Sequence, residues 1–251
     1  MHRFIFDPAQ KFGDQAWLDG EESNHLTRVL RLKTGDEAIL FDGQGNEYTA
    51  RVAEITKDKV LMTGLQSTGE TRESPLQVCL VQAVAKGEKM DWIVQKATEL
   101  GVNRILPVLT ERTIVKLDRG KAIERRDRWQ KIAREATKQC RRTIIPEVIV
   151  PISWRELLTQ WDRSQPLLIP WEQLRGIDLK TALRRLKPSA SQGTGFLGLV
   201  IGPEGGLTEE EVKAAEEIGA LPVSLGPRIL RTETAGLAAL AAIMYELGDW
   251  G

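Results

Sequence analysis

From Leu76 onward the chain alternates short apolar runs with longer stretches of helical period, and this alternation limits its possible folds more than any other feature. Residues 78–84, 104–109, 167–169, 196–201 and 222–225 read as strands. Residues 89–100 read as a helix with Met90, Ile93, Val94, Ala97 and Leu100 on one face and Gly101 as its stop. Residues 124–140 form a second, with Trp129, Ile132, Ala133, Ala136 and Cys140 on one stripe and arginines opposite. Thr208-Glu209-Glu210-Glu211 has the spelling of a capping box and opens a helix ending near Gly219. A closing helix over 233–247 turns Leu237, Leu240, Met244 and Leu247 inward, with Thr232 or Thr234 as its cap. Such alternation predicts an α/β fold, a mostly parallel sheet with helices on both faces.

Three of these strands end in joints suited to a ligand. Leu199-Val200-Ile201 runs into Gly202-Pro203-Glu204-Gly205-Gly206, and Val223-Ser224-Leu225 into Gly226-Pro227-Arg228. Leu168-Ile169 runs into Pro170-Trp171-Glu172. Open α/β sheets bind ligands beyond the carboxyl ends of their strands. Glycine permits close backbone approach there, and proline fixes the turn. A helix start normally favours an anion. Here Glu204, Glu209, Glu210 and Glu211 oppose phosphate and tolerate a cation such as a sulfonium, or simply complement the helix dipole. Arg228 and Arg231 belong to the Gly226-Pro227 joint, three apart in a turn that helix capping does not require. Residues 193–198 spell the dinucleotide fingerprint but precede a strand instead of following one, so their glycines belong to a loop over 189–195.

Residues 1–70 are β-rich. Strands over 37–42 and 47–55 flank the turn Gly43-Gln44-Gly45-Asn46, another strand covers 59–65, and a helix over 23–32, capped by Ser23 or Asn24, interrupts them. A small barrel-like module follows, joined by a polar linker over 70–75. On its helix Leu26, Val29 and Leu30 are spaced to face inward, which leaves His25, Arg28 and Lys33 outward and Arg31 near the edge.

The chain has 35 basic and 35 acidic residues, yet residues 112–142 hold twelve Lys/Arg against four Asp/Glu. A local basic surface on a neutral protein points to a polyanion, or is a solvated helix face. Two isolated cysteines and two histidines exclude a Cys/His metal cluster and fit a reduced, cytoplasmic protein. No apolar run reaches membrane-spanning length, and the first residues lack a signal-peptide core.

The segments His2-Arg3-Phe4, 25–36, 86–113, 128–142, 201–212 and 225–235 together resemble the RsmE-type 16S rRNA (uracil N-3) methyltransferases of the SPOUT superfamily, in order along almost the whole chain. At Gln139-Cys140-Arg141-Arg142 the family more often shows Gln-Ser-Gly-Arg. The resemblance implies a PUA-like RNA-binding barrel over 1–72 and a trefoil-knotted methyltransferase domain over 73–251, working as a homodimer on 16S rRNA within the small ribosomal subunit. It implies S-adenosylmethionine held by Leu168, Pro170, Ile201, Gly202, Pro203, Gly205, Gly206, Leu225, Gly226, Leu230, Thr232 and Ala235. Arg231 or Arg228 would steady charge on the uracil oxygens, and Glu204 or Glu233 would take the ring-nitrogen proton. RNA phosphates would meet His25, Arg28, Arg31, Lys33, Arg134, Lys138, Arg141 and Arg142. Other readings are a SPOUT enzyme acting on a ribose 2′-hydroxyl or on tRNA, and a non-catalytic rRNA-binding assembly factor.

Overall fold

Residues 1–73 with 137–145 form one unit, and residues 74–136 with 146–251 form the other. The computed structural model describes residues 1–173, 176–190 and 196–250. The loop expected over 189–195 lies outside them from 191 on, and the end of a helix takes its first two positions.

The first unit is a curled sheet of β1 (Arg3–Ile5), β2 (Lys11–Phe12), β3 (Gln15–Asp19), β4 (Glu37–Phe41), β5 (Glu47–Ile55) and β6 (Lys59–Ser67). Their order is β1-β4-β5-β6-β3-β2, with β1 parallel to β4 and the other pairs antiparallel. Alternate residues Ala38, Leu40, Ala50, Val52, Val60 and Met62 point into a core closed by Phe4, Leu18 and Leu26.

The intervening helix departs from expectation. It begins earlier, as α1 (Gly20–Asn24), and continues as a π-helical turn over His25–Val29, without a side-chain cap from Ser23 or Asn24. The wider turn breaks the 3.6-residue spacing on which the inward positions were assigned. Leu26 is buried as expected, but Val29 is 68% exposed. His25 is half-buried and stands edge-on to the Phe4 ring, with centroids 5.9 Å apart.

The second unit contains β7 (Gln77–Ala83), α2 (Lys89–Glu99), β8 (Arg104–Leu109), most of α3 (Arg119–Cys140), β9 (Glu147–Val148), β10 (Ile152–Ser153), α4 (Trp154–Gln160), β11 (Leu167–Pro170), α5 (Leu179–Ala190), β12 (Phe196–Ile201), α6 (Glu209–Glu216), β13 (Leu221–Val223) and α7 (Thr232–Leu247). Its strands run parallel in the order β10-β8-β7-β12-β11-β13, with β9 also on β8. Helices cover both faces, so the strands are apolar throughout. Cys79, Val81 and Ala83 pack toward α4 and α6, in a core with Leu157, Val212 and Ala215. On the opposite side, α7 packs on α2 and β12. There Gly236, Ala239, Leu240, Ile243 and Met244 are the buried positions, while Leu237 and Leu247 are half-buried.

Two caps test the local reading. The Thr208 hydroxyl accepts a bond from the Glu211 amide (3.2 Å), and the Glu211 carboxylate accepts one from the Thr208 amide (3.0 Å), as the capping-box spelling predicts. At α7 the cap position is Arg231, and no side chain caps it. The Thr232 hydroxyl, expected to serve there, is used elsewhere.

Candidate functional site

In the parallel sheet β12, β11 and β13 are neighbours, with Leu168 level with both Leu199 and Leu221, and Pro170 level with Val223. Their carboxyl ends therefore emerge side by side, and all three joints meet. Between them lies a cavity of about 420 Å³, within the roughly 300–1,000 Å³ typical of small-molecule sites. One wall is Pro170, Trp171 and Glu172. Another is Ile201, Gly202, Pro203, Glu204, Gly206 and Leu207. The third runs from Ser224 through Leu225, Gly226, Arg228, Ile229, Leu230, Arg231 and Thr232 to Ala235.

Gly206 shows why the joint needs glycine. Its φ is +70°, and a Cβ there would lie 2.5 Å from Glu172 Oε1. Gly226 likewise has φ of +102°. Two expected wall residues stand back from the cavity. Leu168 is buried inside its strand, and Gly205 turns outward, where its carbonyl accepts a 2.9 Å bond from Arg112. Glu233 is not part of the wall either, although it lies 3.5 Å from wall residue Lys89.

Lys89 is the residue that the sequence reading missed. It opens α2 and reaches the cavity, donating to Glu204 Oε1 at 2.9 Å. The Lys86 amide donates to the same oxygen at 3.1 Å. Partial burial raises the Glu204 pKa, but the Lys89 ammonium and the backbone amides outweigh it and hold the carboxyl below its ordinary value. The Glu204 hydrogen bond in turn raises Lys89. Glu204 is thus a fixed carboxylate and a weak base. The Glu233 Oε2 atom, by contrast, is buried 3.5 Å from the Lys89 ammonium and makes no hydrogen bond among the described residues. Two acids at the start of α6 are engaged away from the cavity. Glu209 pairs with Lys213, and Glu211 accepts the Glu111 amide besides its own cap.

The expected phosphate contacts divide into two groups. Arg28, Arg31, Lys33, Arg134 and Arg141 are exposed. Lys138 and Arg142 are not, and this corrects the expectation. Lys138 donates to Glu22 at 2.8 Å. Arg142 is 4% exposed and holds Glu73 through Nε and Nη2, at 2.9 and 2.7 Å. The same carboxylate accepts the Thr143 and Ile144 amides, so Arg142 is part of the first unit's interior. Among the described residues no cluster of three or more His, Cys, Asp or Glu could hold a metal, and no helix is long and apolar enough to cross a membrane.

Residues 72–244 match the model of an RNA methyltransferase domain, and residues 18–62 that of an RNA methyltransferase PUA domain. The chain is 39% identical to ribosomal RNA small subunit methyltransferase E of Bacillus subtilis, over 91% of this chain and 89% of the relative. The chain belongs to the ribosomal RNA small subunit methyltransferase E family. Among solved structures, the family member from Neisseria gonorrhoeae, bound to S-adenosyl methionine, is 37% identical over the full length of both chains, with a TM-score of 0.86. A methyltransferase from Legionella pneumophila in complex with the same cofactor is 33% identical, with 98% of each chain covered and a TM-score of 0.85.

Proposed function

We propose that this protein uses S-adenosylmethionine to methylate ring nitrogen 3 of a uridine in 16S ribosomal RNA. The observation that carries this reading is the cavity where three strand-end joints meet, in a chain of this family. The residues present suit the cofactor. Gly202, Gly206, Gly226 and Ala235 in the wall let a ligand approach the backbone closely. The Trp171 indole N–H lines it and is buried with no partner among the described residues, a donor awaiting an acceptor. Glu204 and Glu172 supply negative charge compatible with a sulfonium, which is a cation.

When bound, the cofactor supplies an electrophilic methyl group. The chain's own residues must present the uracil nitrogen with its lone pair free. Arg231 and Arg228, exposed at the cavity mouth, are placed to steady charge spreading onto the flanking carbonyl oxygens as the proton leaves. Glu204 is a poor proton acceptor while Lys89 holds it. Glu233, which Lys89 holds only at 3.5 Å, takes the proton in this proposal, through a water molecule.

In the same proposal residues 1–72 are the RNA-holding PUA-like domain and residues 73–251 the methyltransferase domain, knotted at the cavity, with two copies forming the cytoplasmic enzyme. Arg28, Arg31, Lys33, Arg134 and Arg141 meet rRNA phosphates within the small ribosomal subunit. The test is to incubate the protein with labelled S-adenosylmethionine and either 16S rRNA or 30S particles, then identify the methylated nucleoside. Label in 3-methyluridine is expected. Label in a 2′-O-methyl nucleoside, or none with either substrate, refutes the proposal.

A further inference from the structure

We infer that Gln82 is a positioning residue for the Gly202 joint, acting through the Thr232 hydroxyl. This rests on the reading that the cavity holds the methyl donor. Gln82 is the penultimate residue of β7, level with Ile201 of β12, and is fully buried where the pattern of a sheet covered on both faces calls for an apolar side chain. Its amide nitrogen lies 3.0 Å from the Ala83 carbonyl and 2.9 Å from Thr232 Oγ1. A carbonyl can only accept, so the amide is fixed with its NH2 toward both neighbours. Gln82 therefore donates to the Thr232 hydroxyl. That hydroxyl has one proton, and it lies 2.6 Å from the Gly202 carbonyl, to which it donates.

The result is a one-directional relay from β7, through the first residue of α7, to the start of the β12 joint. Thr232 and Gly202 both line the cavity, whereas Gln82 does not. Free to rotate, the Thr232 hydroxyl could turn to other acceptors. With Gln82 donating to it, the Gly202 peptide is held in one orientation. A buried amide is unfavourable unless its bonds are made. Here Gln82 Oε1 has no partner among the described residues. An apolar residue would avoid that penalty, so core packing alone does not account for glutamine at this position.

The test is calorimetric titration of S-adenosylhomocysteine into the full chain, with melting of the same variants in the absence of ligand. Thr232→Val, which keeps the shape and removes the hydroxyl, should weaken binding about tenfold, the scale of one lost hydrogen bond, and Thr232→Ser should restore it. Gln82→Met should weaken binding several-fold. The double variant should bind no more weakly than Thr232→Val alone, because both changes break one relay. A purely structural glutamine would lower the melting midpoint and leave affinity unchanged, and that result overturns the inference, as does full additivity in the double variant. If Gln82→Met does not fold, wild-type affinity in Thr232→Val overturns the relay by itself. A wild-type chain that takes up no S-adenosylhomocysteine refutes instead the cavity reading on which the relay rests.

Discussion

Replacing Lys89 with methionine removes one ammonium from between two carboxylates while keeping most of the side chain's apolar length. The ammonium lies 2.9 Å from Glu204 Oε1 and 3.5 Å from Glu233 Oε2. Opposite charges about 3 Å apart in a water-like dielectric attract by about 1.4 kcal/mol. Lys89 and Glu204 keep 32% and 29% of their side-chain surface exposed, and ordering them has an entropic cost, so the net contribution falls to about 1 kcal/mol. For a unit of this size that is a fall of about 2–4 °C in melting midpoint. The sign of the pH dependence follows from the two shifts. Glu204 is lowered, so its contribution is complete above its ordinary value and lost as pH falls through the lowered one. Lys89 is raised, so its contribution is complete below its ordinary value and lost as pH rises through the raised one. The gap between wild type and Lys89→Met should therefore be flat between the ordinary carboxylate and ammonium values and narrow as pH falls through the lowered Glu204 value. It should also close in 1 M NaCl, where the screening length falls to about 3 Å.

The same substitution bears on catalysis. Without the ammonium, Glu204 loses the partner that keeps it ionised, and its pKa rises. Lys89 also lies 3.5 Å from Glu233 Oε2, so in the proposed mechanism its loss should lower the single-turnover methylation rate. Differential scanning of the full chain at several pH values, with single-turnover methylation over the same range, reads both effects. A gap that does not narrow as the pH falls below the ordinary carboxylate range, or that persists in 1 M NaCl, refutes the assignment of Lys89 as the shared counter-ion.

The first unit offers a sharper contrast. Arg142→Ala strips the buried partner from Glu73 and should destabilise that unit by about 3–5 kcal/mol. Arg141→Glu, at an exposed neighbour, should leave melting almost unchanged and weaken rRNA binding in filter-retention assays. Burial pushes the Cys79 thiol up to about 12, so it should resist alkylation at pH 8 in the folded protein while the half-buried Cys140 reacts first, as mass spectrometry of digested fragments would show. Gly206→Ala forces a side chain onto a backbone at φ of +70° and toward Glu172, so S-adenosylhomocysteine affinity should fall at least tenfold in a folded protein. Retained affinity would mean that the joint tolerates another backbone shape.

The features legible in the sequence were those with a local period or spelling. The parallel strands were visible because strands buried on both faces are apolar at every position, as in Val78 through Val81. The Thr208–Glu211 cap was visible because its two bonds close within four residues. The cavity was visible because glycine and proline mark strand ends, and a parallel sheet gathers those ends on one side. The π-helical turn was not, since a change from four-residue to five-residue hydrogen bonding leaves no mark on composition, and Val29 was consequently turned the wrong way. Lys89 opens a helix like any exposed lysine, and its partner Glu204 is 115 residues away. Pairings at that distance become readable only when the sheet order is known.

The basic segment shows how such distant partners change a functional argument. Counted along the chain, residues 112–142 carry a large positive excess, which suggests a broad grip on RNA. Folded, much of that charge is already answered. Arg112 is bonded to the Gly205 carbonyl, Lys121 lies against Asp118, Arg126 against Asp127 and Arg128 against Asp91. Lys138 and Arg142 are held by Glu22 and Glu73. An ammonium or guanidinium bonded to a carboxylate displaces no condensed counterion from a nucleic acid until that pair opens. Each phosphate contact formed with single-stranded RNA contributes a slope of about −0.7 in log affinity against log salt. The slope for rRNA should thus leave out the cations held in these pairs and fall short of the value twelve basic residues would give. A slope near that larger value would mean that the ion pairs seen here exchange their carboxylates for phosphates on binding, and that the basic surface is assembled by the RNA itself.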